Sequence, residues 1–107
     1  MKILAILAAL FLSIGYGHAQ TYEKFVEKSF DFLDKNDLVS AEESLRAAMR
    51  LEPGNPNNYA LLMNLGTIQR RQGKLEDALL SYTAALSRHP NNEAILENRA
   101  GLYTEMG

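Results

Sequence analysis

The feature that most constrains this chain is a match between two of its own segments at a fixed offset. Residues 44–48 (Ser-Leu-Arg-Ala-Ala) match residues 81–85 (Ser-Tyr-Thr-Ala-Ala) at the serine and at both alanines, 37 residues further on. The same offset superposes three more identical pairs: Leu38 on Leu75, Ala41 on Ala78 and Pro53 on Pro90. Identity at several positions with one offset indicates that the fold is built from copies of a small repeating unit.

The underlying unit is shorter than the offset, because one copy carries an insertion. Residues 53–58 (Pro-Gly-Asn-Pro-Asn-Asn) form a longer version of residues 90–92 (Pro-Asn-Asn). Without the extra Gly54, Asn55 and Pro56, the spacing becomes the roughly 34 residues of a helix–turn–helix repeat. The insertion predicts a lengthened surface loop, which is either simply tolerated or contributes to binding.

The spacing of apolar residues predicts five helices, near residues 22–35, 38–51, 57–72, 75–88 and 92–106. Gly73, and Asn36 at the equivalent position, suit the left-handed residue that ends a helix. Asp37 is suited to cap the helix that follows. Pro53 and Pro90 mark the ends of the second helices.

Small residues predict where the helices approach each other closely. They recur at Ser29, Gly66 and Ala100 in the first helices. They also recur seven residues apart in the second helices, as Ala41 with Ala48 and Ala78 with Ala85. A spacing of seven places two residues on one helix face, and small side chains there let antiparallel helices pack at the short end of ~8–10 Å. Large residues such as Tyr82 are expected to fill the remaining core.

These residues resemble the tetratricopeptide repeat family. Residues 59–92 carry its pattern at most positions and depart from it at Gln69: Leu62, Leu65, Gly66, Gly73, Ala78, Tyr82, Ala85 and Pro90. Residues 22–55 match less fully, with Lys28, Ser29 and Asn36 as departures: Phe25, Phe32, Ala41, Leu45, Ala48 and Pro53. A half repeat spans residues 93–107. The resemblance implies an all-α fold, a right-handed superhelical array of antiparallel helix pairs with about two and a half repeats.

The first 19 residues have the layout of a secretory signal peptide. Lys2 precedes the apolar run Ile3–Leu12, and Gly17 and Ala19 provide a small-x-small cleavage site. The run is shorter than the about 20 apolar residues that a membrane-spanning helix needs. We therefore expect residues 20–107 to form the mature domain of a secreted bacterial protein, periplasmic in a Gram-negative bacterium or released. The sequence has no cysteine, so neither a disulfide nor a lipid-modified cysteine is expected.

The resemblance also implies where a partner would bind. In arrays of this family the first helices line the concave face, and the corresponding positions hold these residues: Phe30, Met63, Asn64, Thr67, Arg70, Arg71 and Asn98. An amide can bond a peptide backbone through both its donor and its acceptor. Arginine can bind a partner carboxylate, although Arg70 and Arg71 could equally serve the end of their own helix. A subfamily that clamps carboxylates has a lysine and an asparagine where this chain has Val26 and Phe30, so that specificity is not implied.

No catalytic, metal or cofactor site is predicted. The acidic pairs Glu42-Glu43 and Glu76-Asp77 are expected in the first turn of a second helix, where they complement the helix dipole. His18 leaves with the predicted signal, and His89 alone cannot form a triad or a metal site. The net charge of −2 lacks the basic surplus of a nucleic-acid-binding domain, so we expect no nucleic-acid partner.

Two functions remain open from the sequence. The first is a non-enzymatic scaffold that binds a protein or peptide outside the cytoplasm, without inserting into a membrane after signal cleavage. The second is a self-assembly module, or the N-terminal fragment of a longer array. It is suggested by Leu96 and Tyr103, which belong to the face of the last helix that a further helix would cover.

Overall fold

The computed structural model describes residues 21–107, which form five α-helices. These are α1 (Tyr22–Asp34), α2 (Leu38–Leu51), α3 (Asn58–Arg71), α4 (Leu75–Arg88) and α5 (Glu93–Met106). Each predicted helix is present, with ends that agree to within one residue. The described part of the chain contains no β-strand, so the predicted all-α fold is confirmed. The predicted signal peptide, residues 1–19, and Gln20 lie outside the described residues.

The turns inside the two helix pairs have the predicted chemistry. Asn36 and Gly73 both adopt the left-handed conformation, with φ angles of 58° and 80°. After Asn36, the Asp37 side chain accepts a hydrogen bond of 3.1 Å from the Ser40 backbone N–H and caps α2. Lys74, at the equivalent place before α4, provides no such cap. The turn geometry is thus repeated although the capping residue is not.

The small residues lie where the helices pack most closely, except Ala100, which is exposed because no further helix of the described chain covers it. Ala41 and Ala48 of α2, and their equivalents Ala78 and Ala85 of α4, are fully buried. Between α3 and α4, a Cβ atom added to Gly66 would lie 2.7 Å from the Tyr82 ring. That distance is too short for a real contact, so only glycine allows the ring to lie against the α3 backbone. The Tyr82 hydroxyl is 2.8 Å from that of Thr67, which completes the contact.

Apolar packing forms two clusters along the array. The first, centred on Leu45, joins α1, α2 and α3. The second, centred on Tyr82, joins α4 to Ile95 and Leu102 of α5. Leu62 of α3 contacts both clusters and so connects them. Each helix pair is therefore stabilised by its neighbour, as expected for a repeat array.

A buried hydrogen-bond network at Asn58, which sequence reasoning missed, joins the first repeat to the second. The Asn58 amide accepts a hydrogen bond of 2.8 Å from the Tyr22 hydroxyl of α1. It also donates to the backbone carbonyls of Glu52 and Pro53, at 2.9 and 3.3 Å. Because Asn58 is almost completely buried, these bonds satisfy groups that water cannot reach. They hold the loop that contains the inserted residues.

Glu42 is the centre of a second polar network between the repeats. Its carboxylate accepts hydrogen bonds from Arg46 at 2.8 Å, from Gln72 at 2.9 Å and from Lys74 at 3.4 Å. Burial by itself raises the pKa of Glu42, but these three partners lower it by more, so the pKa lies below its ordinary value. The network ties α2 to the turn between α3 and α4.

The structure corrects the expected placement of Glu42. The sequence placed the Glu42-Glu43 pair in the first turn of a helix, but α2 begins at Leu38 and has no acidic residue in its first turn. Glu42 is 8% exposed and paired with cations from two elements. Glu76 and Asp77 do lie in the first turn of α4, as predicted.

Gln69, where the family pattern has an aromatic residue, continues the polar contacts into α4. With its amide nitrogen toward α4, Gln69 donates to the Ser81 hydroxyl at 2.6 Å and to the Asp77 carbonyl at 3.1 Å. Its oxygen then accepts a hydrogen bond of 3.1 Å from Arg46 of α2. The departure from the pattern therefore replaces ring packing by hydrogen bonds that link three helices.

Replacing Tyr82 by alanine should lower the free energy of unfolding by about 3–5 kcal/mol, because it leaves a cavity against Gly66 in a fully buried site. Chemical denaturation followed by circular dichroism measures the change. The matched control is Tyr103→Ala, since Tyr103 is exposed and should contribute no more than ~0.5 kcal/mol. Equal losses in the two variants would contradict the role of Tyr82 in the core.

Replacing Glu42 by glutamine should lower stability at neutral pH by about 1.5–3 kcal/mol, the usual contribution of hydrogen bonds to a charged group. Because the folded-state pKa is lowered, this contribution is present above the ordinary value of 4.5 and is lost as the pH falls through the folded-state pKa. Unfolding curves from pH 7 to pH 3 should therefore converge for the two proteins. Glu43→Gln, an exposed neighbour, is the control. A constant gap at every pH would contradict this account.

Candidate functional site

The first helices of the repeats, α1, α3 and α5, together present the surface that the sequence predicts to bind partners. We call this surface the inner face, and it carries all seven predicted residues: Phe30, Met63, Asn64, Thr67, Arg70, Arg71 and Asn98. The structure divides them into two groups. Four have roles in holding the fold together, and three present side chains without such a role.

Arg70 fills the inner face between α3 and α5. Its guanidinium donates a hydrogen bond of 2.6 Å from Nε to Glu105 of α5 and lies 3.5 Å from the Asn98 carbonyl. A Cβ atom on Gly101 would lie 3.2 Å from the same guanidinium, so the glycine makes room for it. Because Arg70 is occupied by Glu105, its charge is largely neutralised within the chain.

Three other predicted residues also have partners within the fold. Arg71 donates a hydrogen bond of 2.9 Å to the Asn36 side chain in the turn after α1. Thr67 is 2.8 Å from the Tyr82 hydroxyl, and Met63 packs against the cluster around Tyr82. These side chains position α3 between its neighbours, whatever else they contact.

Asn64 and Asn98 differ from these four residues. They occupy equivalent positions on α3 and α5, 34 residues apart, and both side chains are half-buried. Within residues 21–107, neither amide group forms a hydrogen bond with another part of the chain (the contact at Asn98 uses its backbone carbonyl). Each amide therefore retains a donor and an acceptor for a partner backbone.

A groove of about 320 Å³ separates α1 from α3 on the inner face. Its apolar wall consists of Tyr22, Val26 and Phe30 of α1 together with Leu61 of α3. Phe30 is the most exposed of them, at 50%. The acidic residues Glu23 and Glu27 also line the groove, and no basic side chain does so.

Three residues that line this groove, Tyr22, Leu61 and Asn57, were not identified from the sequence as site residues. Leu61 comes from α3, and Asn57 comes from the loop that contains the insertion. The groove is open because α1 and α3 lie further apart than α3 and α5. The sequence did contain a signal for this wider separation. The offset between the first and second repeats is 37 residues, whereas that between the second and third is 34.

The outer side of α5 is apolar and exposed, as the sequence predicts. Ile95 and Leu102 are completely buried against α4, whereas Leu96 and Tyr103, one residue further along in each case, are 40% and 51% exposed. Ala100, the small residue between them, is also exposed. These three residues form a second apolar surface, separate from the inner face.

The described residues contain no cluster of three or more potential metal ligands. The His89 ring lies 3.9 Å from the Tyr59 ring, a packing contact that joins the loop after α4 to the start of α3. Among residues 21–107, no helix combines the length and the apolar character needed to cross a membrane.

Comparison with known proteins agrees with the geometry. Residues 59–92 match the family model for the tetratricopeptide repeat. A crystal structure of a tetratricopeptide repeat protein from Parabacteroides merdae superposes with a TM-score of 0.80 and is 73% identical in sequence, covering 83% of this chain. The match spans 35% of that protein's chain.

Curated relatives are more distant. Photosystem I assembly protein Ycf3 of Synechococcus sp. (strain CC9605) is 25% identical over 99% of this chain, and the match spans 62% of its own length. Human protein O-mannosyl-transferase TMTC1 is 36% identical over 75% of this chain, and the match spans 9% of its length.

The repeat pattern, the packing of small residues and the match to a solved structure lead to one conclusion. Residues 59–92 match the tetratricopeptide repeat, and the described chain has the all-α helical-repeat fold of a solved tetratricopeptide repeat protein.

Proposed function

We propose that this protein is an exported, non-enzymatic scaffold that binds a protein or peptide partner on its inner face. Tetratricopeptide repeat proteins generally mediate protein–protein interactions, and repeat arrays use their extended concave surfaces for this purpose. The observation that carries the proposal is the pair of unpaired amides, Asn64 and Asn98, at equivalent positions of α3 and α5. Two such amides can bond successive parts of one extended backbone.

Two further observations support parts of this proposal. The sequence of residues 1–19 has the layout of a secretory signal, which supports export. The Synechococcus relative is named as an assembly protein, a role that requires binding other proteins.

The double variant Asn64→Ala/Asn98→Ala should reduce partner capture by at least about tenfold, because the loss of several hydrogen bonds of about 1 kcal/mol each has that effect. The measurement is quantitative mass spectrometry after capture from the cell envelope of the native organism. Thr83→Ala, an exposed change on α4, is the matched control.

Equal recovery of the same partners by wild type, double variant and control would refute binding through the inner face. The mass of the native protein checks export separately, since signal cleavage after Ala19 makes Gln20 the first residue. An uncleaved protein confined to the cytoplasm would contradict that part of the proposal.

A second candidate function is self-association through α5. It is favoured by the contrast between the two ends of the array. Leu61, Leu65 and Ile68 of α3 are buried, but the equivalent residues of α1 are exposed and charged: Lys24, Lys28 and Asp31. At the other end, α5 exposes Leu96 and Tyr103. Within residues 21–107, only the α5 end therefore offers an apolar surface of the kind that associating proteins bury.

Light scattering over a dilution series tests this candidate. If α5 mediates association, the mass of the wild-type protein rises with concentration, and Leu96→Ser/Tyr103→Ser keeps the protein monomeric. Leu80→Ser, which changes an exposed leucine of α4, should leave the association unchanged. A wild-type protein that stays monomeric throughout the series would exclude self-association.

A further inference from the structure

We propose that the groove between α1 and α3 binds a peptide segment in which one large apolar side chain is flanked by lysine or arginine. This inference rests on the proposed function and names the chemistry of the partner. It assigns the specificity to α1, whose inner residues Glu23, Glu27 and Phe30 are exposed.

The size and lining of the groove define the central side chain. Its volume of about 320 Å³ is at the small end of the ~300–1,000 Å³ range of ligand sites, so it suits one large side chain rather than a cofactor. Val26, Phe30 and Leu61 provide apolar walls for that side chain. Phe30 is half-exposed and belongs to neither apolar cluster of residues 21–107, and aromatic side chains of this kind are enriched at binding sites.

Tyr22 forms the remaining apolar wall of the groove, and hydrogen bonds hold it in place. The Tyr22 hydroxyl donates to Asn58, which in turn donates to two backbone carbonyls in the loop before α3. Both residues are buried, so Tyr22 keeps its position whether or not a peptide is bound. A preformed wall reduces the entropy lost when a peptide binds.

The charges define the flanking residues. Glu23 and Glu27 lie beside the apolar wall, and no basic side chain among the described residues lines the groove. Glu27 has one partner, Lys24, at 3.5 Å, and both side chains are about two-thirds exposed. Exposed pairs of this kind are weak, so a basic residue of a peptide can replace Lys24. An acidic peptide would instead be repelled by the Glu23 and Glu27 carboxylates, which selects against it.

The other half of the inner face does not offer the same chemistry. Between α3 and α5, Arg70 occupies the space above Gly101 and is bound to Glu105. The free amides of Asn64 and Asn98 can bond a backbone there, but they do not distinguish side chains by charge or size. Specificity for side chains therefore belongs to the α1–α3 groove.

Fluorescence anisotropy with three labelled peptides in a Gly/Ser background tests the proposal. The first has a central Phe flanked by two lysines on each side, the second has glutamates in place of the lysines, and the third has Ser in place of Phe. Wild-type protein should bind the first at least about tenfold more tightly than either of the others, a difference of about 1.4 kcal/mol. The preference over the glutamate peptide should decrease at high salt.

Two variants change the two parts of the site separately. Phe30→Ser should weaken binding of the first peptide by about tenfold, and Leu80→Ser is its control for removal of an exposed apolar side chain. Glu23→Lys/Glu27→Lys should reverse the preference in favour of the glutamate peptide, and Glu43→Lys is its control. All five positions are exposed, and unchanged circular dichroism spectra will show that the variants fold.

The possible outcomes separate this inference from the proposed function. If the three peptides bind wild type equally, or if neither variant changes binding, the groove assignment is wrong. In that case, loss of partner capture in the Asn64→Ala/Asn98→Ala variant would still support a scaffold that uses the inner face. If that variant also captures partners normally, both proposals fail.

Discussion

The close approach of paired helices is the constraint on which the rest of this structure depends. Tyr82 can lie against the α3 backbone only because residue 66 is glycine, and the fully buried alanines of α2 and α4 allow the same closeness elsewhere. Short interhelical distances bring enough apolar surface together to stabilise a small domain that has no disulfide. They also direct the first helices toward one surface, which becomes the inner face.

Polar contacts, in addition to the apolar cluster around Leu45, define how the two repeats meet. Asn58 connects α1 to the loop before α3, and Glu42 connects α2 to the turn after α3. Buried hydrogen bonds depend strongly on geometry, so these contacts restrict the relative position of the repeats more than apolar packing alone would do. The groove between α1 and α3 therefore has a defined width, and its Tyr22 wall belongs to one of these networks.

The inner face is asymmetric although it is built from repeats. Between α3 and α5, the Arg70–Glu105 pair fills the space, whereas between α1 and α3 an apolar groove with two glutamates stays open. The asymmetry arises from the different spacing of the repeats and from residues that are not repeated. This difference favours a proposed division of the inner face. The part near Asn64 and Asn98 would bind the backbone of a peptide, and the part near Phe30 would select its side chains.

The sequence by itself determined the helices, their turns and the pairs of small residues. These features depend on local spacing and on backbone preferences, as at Asn36 and Gly73. Through resemblance to the repeat family, it also predicted that the first helices bind the partner. Tertiary structure alone decided which of their side chains are free, because Arg70 and Thr67 meet partners 35 and 15 residues away. The roles of Asn58 and Glu42 were likewise decided by contacts between repeats, which local spacing does not encode.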